Sequence, residues 1–265
     1  MKRIIFSIYN KTVDKHSSAS DYKKEQFRRY SKMLKDRQKK YAKICDADYE
    51  LFTTSETNYD KIQFEKILKA EELCKHYDEV LYLDFDVVPY TLDVFFEKFN
   101  LDAVCVYSLP TNISPELLRG RIRDNYIWPK MDMYTKTCAK KAMLLLDNVS
   151  GLDSCFNTGV FGINRKSAEL LNFTDRLNDC KRILDEAKVD NLYPPEISHN
   201  WSYNNEVFTS YIVERYDVPT TNIGLSWNFI IDHREPKLSA AVHMIHCVNK
   251  NFNTIPLSQY PLRQH

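Results

Sequence analysis

Five glycines in 265 residues (Gly120, Gly151, Gly159, Gly162, Gly224) make up ~2% of the chain, where ~7% is usual. Neither GxGxxG nor GxxxxGK[ST] can be written with them. Both motifs need clustered glycines so that backbone N–H groups can close on phosphates, and a Rossmann dinucleotide site and a P-loop are therefore disfavoured. If the chain binds a nucleotide, something other than a glycine loop must neutralise the phosphates.

Charge and apolar content narrow the class further. With 37 Lys+Arg against 36 Asp+Glu the formal charge is +1, which gives no electrostatic case for nucleic-acid binding. A chain that is 43% hydrophobic can close one sizeable core, since domains run to ~100–200 residues. Without an internal repeat, low-complexity tract or linker, a single domain over 1–265 is expected. No stretch approaches ~18 uninterrupted apolar residues, so no transmembrane helix is expected. The run Ile4 to Ile8, broken by Ser7, is shorter than the ~7–15-residue core of a signal peptide and reads as a first buried strand. Seven cysteines (Cys45, Cys74, Cys105, Cys138, Cys155, Cys180, Cys247), odd in number and without a CxxC pair, read as reduced, packed thiols of a cytoplasmic protein. The Asn-x-Ser/Thr matches at Asn10, Asn112, Asn148, Asn172 and Asn200 carry no weight without a secretory signal.

Periodicity gives an alternating plan. Residues 3–9 read as a strand, Ser20 to Ile44 as a strongly basic helix, Tyr49 to Phe52 as a second strand, and a helix from Tyr59 or Asp60 buries Ile62, Phe64, Ile67, Leu68 and Leu73. Glu79 to Leu83 reads as a buried strand, Leu92 to Phe99 as a helix and Asp102 to Tyr107 as a strand, while 108–150 has no assignment. Further on come a strand at Cys155 to Asn164, helices at 166–187, a Pro/Asn/Trp-rich loop at 191–203, a helix at Asn205 to Arg215, and strands at Trp227 to Ile231 and Ala241 to His246. Alternating strands and helices imply an α/β sheet with a parallel nucleus and helices on its faces. The basic helical face is expected to be solvated; peripheral contact with anionic lipid or a partner is the alternative.

Asp84-Phe85-Asp86 follows the strand Val80 to Leu83 directly. Side chains alternate along a strand, so Asp84 and Asp86 are expected to project together. They would do so at the carboxyl end of a strand, where α/β folds place ligands. Two convergent carboxylates repel unless a cation lies between them. A hard divalent ion, Mn²⁺ or Mg²⁺, would take their oxygens and leave positions open to a diphosphate. With 21 Asp in the chain one or two such triplets arise by chance; the second, Asp46-Ala47-Asp48, precedes its strand and reads as solvated loop.

The segment DEVLYLDFDVVPY resembles the DxD region of metal-dependent glycosyltransferases of the GT-A fold. Three more segments agree in order. Phe156 to Asn164 (FNTGVFGIN) resembles the FN(S/T)GV…IN strand of the glycogenin-like and bacterial lipopolysaccharide galactosyltransferase families. Asn204-Asn205-Glu206-Val207-Phe208 sits where those enzymes keep an acidic or amide motif near the sugar. Val242 to Lys250 resembles their C-terminal IHFxGxxKP element, with Ile245, His246 and Lys250 aligned; no Pro follows Lys250. The resemblance implies a GT-A-type single domain with a mostly parallel central sheet flanked by helices, a Rossmann-like donor half at 1–107 and an acceptor half at 108–265. It also implies a donor such as a UDP- or GDP-sugar and a glycan acceptor.

The resemblance further implies that Asp86 and His246 ligate the metal, with Asp84 sharing it through water or holding the donor ribose. His243, three residues from His246, is the structural control. Lys250 would pair with a diphosphate oxygen. Glu206, then Asp153, are the candidate bases if the reaction inverts configuration; if it retains, Asn157, Asn205 and Glu206 would grip donor-sugar hydroxyls. Ser7, Tyr9 and Thr54 at strand ends, with Lys61 on the next helix, are expected to face the nucleotide. Trp201, Tyr203 and Trp227 would stack on sugar rings or pack in the core. Three rival readings use the same carboxylates: a haloacid-dehalogenase-type phosphatase, a two-metal nucleotidyltransferase, and a non-catalytic sugar- or nucleotide-binding relative. The first wants its DxD on the first strand and a later paired-acid motif; the chain has no Asp-Asp pair.

Overall fold

Ile4, Ile5 and Phe6 are successive residues and all fully buried, so strand β1 (Arg3–Asn10) must be covered on both faces. The computed structural model describes residues 1–10, 21–56, 58–110, 128–190, 193–201, 204–230 and 242–255. After β1 come α1 (Asp21–Ile44), β2 (Asp48–Thr54), α2 (Tyr59–Leu73), β3 (Glu79–Leu83), β4 (Val87–Pro89), the single turn α3 (Phe95–Lys98) and β5 (Val104–Pro110). Then follow α4 (Trp128–Leu146), β6 (Ser154–Asn164), α5 (Arg165–Leu171), α6 (Phe173–Asp190), the short α7 (Pro195–Ser198), α8 (Asn205–Arg215), β7 (Thr220–Asn222), β8 (Phe229–Ile230) and β9 (Met244–His246).

Among the described residues a six-stranded sheet runs in the order β2-β1-β3-β6-β5-β7, and a three-stranded sheet in the order β4-β9-β8. β2, β1 and β3 are mutually parallel, β5 and β7 are parallel, and β6 is antiparallel to both of its neighbours. The expected α/β plan with a mostly parallel sheet is the plan found. Strand parity sorts the core into two layers. Ile4, Phe6, Val80 and Tyr82 pack with Phe64 and Ile67 of α2, Met143 of α4 and Phe208 of α8. Ile5, Leu81 and Leu83 face Tyr41 and Ala42 of α1, with Phe95, Trp227 and Met244. In α1, Leu34, Gln38 and Tyr41 are buried at helical spacing while its Lys- and Arg-rich face is exposed, as an amphipathic surface helix requires.

Some elements differ from the sequence reading. The expected helix over 92–99 is one turn, Phe95–Lys98, because a Thr91 turn precedes it (Asp93 N–H to Thr91 Oγ1, 2.9 Å). The segment 108–150 contains helix α4. The expected strand from Trp227 is a 3₁₀ turn at Leu225–Trp227 followed by two strand residues. β4 and β7, three residues each, are too short to show a period. Gly120, Asn112 and Tyr203 lie outside the described residues.

Candidate metal centre

The two aspartates leave β3 through a tight turn rather than along a strand. Asp84 N–H continues the ladder to the Gly159 carbonyl at 2.7 Å, and Val87 N–H closes on the Asp84 carbonyl at 2.8 Å. Phe85, at the corner, is buried against Tyr9 (5.1 Å between centroids) and Phe27 (6.0 Å), which pins the turn. The chain then enters β4 of the small sheet, and there the register delivers the third candidate ligand: Val87 pairs with His246 across the antiparallel β4–β9 ladder, and Cys247 N–H donates to the Asp86 carbonyl. Convergence of Asp84 and Asp86 thus comes from the turn, not from the strand parity that predicted it.

Asp84, Asp86 and His246 each offer a ligand atom, and these atoms lie within 4.8 Å of one another. His246 Nε2 stands 3.5 Å from Asp84 Oδ2 and 3.6 Å from Asp86 Oδ2. Asp86 and His246 are buried, whereas the Asp84 side chain is 25% exposed and marks the open side. On that side Asp84 Oδ1 accepts from Tyr82 Oη at 2.6 Å and from Lys66 Nζ at 3.3 Å. Burial pushes the Tyr82 hydroxyl well above its ordinary pKa, and the Asp84 charge adds to this, so it remains a proton donor. Asp86 receives the ammonium of Lys250. Burial alone would raise the Asp86 pKa, but the Lys250 ammonium leads the opposing causes and the carboxyl is held well below the carboxylate range. For Lys250 burial works downward, and Asp86 reverses it, raising the ammonium pKa.

Two further observations bear on whether these residues suit an ion. A Cβ at Gly159 would lie 2.2 Å from His246 Cε1 and 3.0 Å from Asp84 Oδ2; only a residue without a side chain lets the imidazole and the carboxylate share this space. His246 Nδ1 is 3.0 Å from Asn228 Oδ1. With that oxygen accepting the Nδ1 proton, Nε2 is the ring atom left toward the two carboxylate oxygens, and in the neutral imidazole it is a third acceptor. Three converging acceptors suit a divalent cation: carboxylate oxygens suit Mg²⁺ or Mn²⁺, and an imidazole nitrogen suits a first-row transition ion. The residues fit the group.

Other expected site residues fall into place differently. Ser7 is fully buried, with its hydroxyl against Gln38 Oε1 (2.7 Å) and the Leu83 carbonyl (2.6 Å); it ties β1 to α1 and β3 and does not face a nucleotide. Tyr9 belongs to the aromatic cluster around Phe85. Thr54 Oγ1 accepts from Glu56 N–H. Lys61 is 71% exposed beside Glu56, and the α2 lysine that reaches the carboxylates is Lys66. Asn157 is buried, with Oδ1 accepting from Gly159 N–H (3.1 Å) and Asn228 Nδ2 (2.7 Å). Asn205 donates to Gln63 Oε1 at 2.9 Å and accepts from Thr158 Oγ1. Glu206 opens α8 beneath the Asn204 cap and pairs with Lys136 at 2.7 Å. Asp153, 72% exposed and paired with Lys141, precedes β6 by one residue, six positions before Gly159. Trp201 donates to the Ala139 carbonyl (3.0 Å) from within the core, and buried Trp227 stacks on His243 (4.4 Å, 12°), so neither is a sugar platform. His243, the control, meets Asp93 Oδ2 at 3.0 Å, away from the triad.

Lys66, Tyr82, Asn228 and the role of Gly159 were missed. Tyr82 carried a signal, standing on β3 two residues before Asp84. Lys66 and Asn228 carried none, because their proximity is set by packing between elements.

No protein-family model and no curated protein matches the chain. Solved structures do. A glycosyltransferase involved in the glycosylation of the major capsid of PBCV-1 superposes with a TM-score of 0.52 at 12% identity, over 98% of this chain and 100% of that one. Mouse xyloside xylosyltransferase 1 gives 0.44 at 10% identity over 96% and 99%, and the bifunctional glycosyltransferase WbbM gives 0.47 at 13% identity over 93% and 46%. The first likeness shows the fold: the chain is built on the α/β plan of a glycosyltransferase, as the DxD segment led one to expect.

Proposed function

We propose that this protein is a divalent-cation-dependent glycosyltransferase, moving a sugar from a nucleoside-diphosphate donor, a UDP- or GDP-sugar, to a hydroxyl of a glycan or protein-linked acceptor. The observation that carries the reading is the Asp84–Asp86–His246 triad at the carboxyl end of β3 in a glycosyltransferase fold. When bound, Mn²⁺ or Mg²⁺ would supply Lewis-acid stabilisation of the negative charge on the leaving diphosphate; the imidazole favours a transition ion over Mg²⁺.

The chain's own residues supply the rest. Two carboxylates and two ammoniums, Asp84 with Lys66 and Asp86 with Lys250, balance before any ligand arrives. A dication and a doubly negative diphosphate therefore add as a neutral pair, whereas either alone leaves net charge in a partly buried site. Lys250, next to Asp86 and rooted at a positive φ of 62°, is placed to hold a diphosphate oxygen as a point charge. Lys66 and Tyr82 hold Asp84 Oδ1, leaving Oδ2 turned inward. Glu206 is the candidate base on the α8 wall, and an acceptor hydroxyl would have to displace Lys136 from it. Residues 1–107 would form the donor half and 108–265 the acceptor half of one domain, although His246 and Lys250 come from the second half to complete the donor site. Among the described residues no helix is long and apolar enough to cross a membrane. The cysteines are free and mostly buried, which suits a cytoplasmic setting.

The test is incubation with Mn²⁺ and a panel of nucleotide sugars. Slow release of nucleoside diphosphate, lost with chelator, is expected from the wild type. Asp86→Ala should abolish metal-stimulated donor binding by calorimetry, and His246→Ala should cost far more activity than His243→Ala. Release of inorganic phosphate, no turnover, or equal losses at the two histidines would overturn the assignment.

A further inference from the structure

We infer that Asn228 is a positioning residue of the metal centre: held in one orientation by Asn157, it fixes His246 with its proton on Nδ1, so that Nε2 presents a lone pair to the ion. The inference rests on the metal-centre reading above and adds a device that sets the ligand's polarity.

Two backbone groups that cannot exchange roles anchor it. Gly159 N–H can only donate, and it meets Asn157 Oδ1 at 3.1 Å. The main-chain carbonyl of Asn157 can only accept, and Asn228 Nδ2 lies 3.4 Å from it. Asn157 therefore turns its amide oxygen toward Gly159, and Asn228 turns its NH₂ toward that same oxygen, 2.7 Å away. Once the nitrogen end of Asn228 is committed, its Oδ1 is the atom 3.0 Å from His246 Nδ1. An amide oxygen cannot donate, so Nδ1 carries the proton, and in a neutral imidazole the other nitrogen is then the acceptor. That nitrogen, Nε2, is the one facing Asp84 and Asp86. Asn228 is fully buried, so water does not compete for its amide. A partner on the ring nitrogen away from the metal both orients the ring and raises its basicity as a ligand. His243 provides the internal contrast: its Nε2 meets a carboxylate oxygen of Asp93, which requires a proton on Nε2. Two histidines three residues apart thus hold opposite ring polarities.

The test is ¹⁵N-histidine NMR of the full-length protein treated with chelator, paired with Mn²⁺ titration followed by electron paramagnetic resonance. Wild type should show His246 protonated at Nδ1 and His243 at Nε2, a measurement that needs no variant. Asn157→Leu removes no hydrogen bond to the ring, yet it should release the Asn228 amide, mix the His246 tautomers and weaken Mn²⁺ binding by about 10–100-fold. Asn157→Asp keeps the acceptor oxygen and should retain the wild-type tautomer. The His243 signal reports whether each variant has kept its fold. A wild-type His246 with no proton on Nδ1, or unchanged tautomer and affinity in both Asn157→Leu and Asn228→Leu, overturns the inference. Wild-type protein with His246 protonated at Nδ1 and no Mn²⁺ binding would overturn the metal reading, and with it the ion this device serves.

Discussion

At the scale of single residues, the tightest constraint on the centre is Gly159. Its backbone is not in the left-handed region, so alanine there is tolerable as a conformation. The problem is space: a methyl would sit 2.2 Å and 2.6 Å from two atoms of the His246 ring. Overpacking of this kind costs about 1–3 kcal/mol, and here the strain falls on a candidate ligand. Gly159→Ala should therefore leave far-UV circular dichroism unchanged while Mn²⁺ affinity drops at least tenfold; wild-type affinity would show that the ring moves without consequence. Asp86 carries a second prediction. Its folded pKa lies below the ordinary 3.8, so its ionised form stabilises the fold above that pH, and the contribution is lost as pH falls through the depressed value. The stability gap between wild type and Asp86→Asn, measured by urea melts with chelator present, should be constant near neutrality and narrow only under acid; a gap flat down to pH 2 would remove the Asp86–Lys250 pair as its source.

Among elements, the joint between α4, β6 and α8 depends on one buried cation. Lys140 is fully buried; it donates to the carbonyls of Leu152 (2.8 Å) and Ser154 (2.7 Å) and to Glu214. Removing it leaves a carboxylate and two carbonyls without that partner. Lys140→Ala should cost about 3–5 kcal/mol in chemical denaturation, whereas Lys141→Ala, on the exposed pair with Asp153, should cost below about 1 kcal/mol. Similar losses would mean that the joint is held by its apolar contacts instead. The small sheet matters more for function. It contributes few residues, yet the β4–β9 register sets His246 opposite Val87, and β8 brings Asn228 alongside. A one-residue slip of β9 would turn His246 to the other face.

For the whole molecule, the charge balance of the site predicts coupled ligands. Binding at 100 times Kd stabilises a fold by about 2.7 kcal/mol, and for a chain of this size 1 kcal/mol moves Tm by about 2–4 °C. Mn²⁺ and a nucleoside-diphosphate sugar together should raise Tm by about 5–10 °C, more than the sum of their separate shifts. Strictly additive shifts would contradict the neutral-pair argument.

How much of this was legible depends on whether a feature is local. Strands β1 and β3 and helices α1, α2 and α8 were readable because apolar periodicity is written along the chain, and the DxD turn because it abuts a buried strand. The expected helix at 92–99 failed because one preceding turn at Thr91 limited it, and α4 was hidden in a segment without a clear period. Chain order by itself determined the α/β plan, the exclusion of glycine phosphate loops, and the pair Asp84 and Asp86 as the place to look. Only the folded molecule decided that Lys66 rather than Lys61 meets Asp84, that Ser7 and Trp227 are core, and that Asn228 lies against the His246 ring. Those outcomes are fixed by registers and packing between segments up to about 160 residues apart, such as Asp86 and Lys250, and a linear pattern carries no record of such distances.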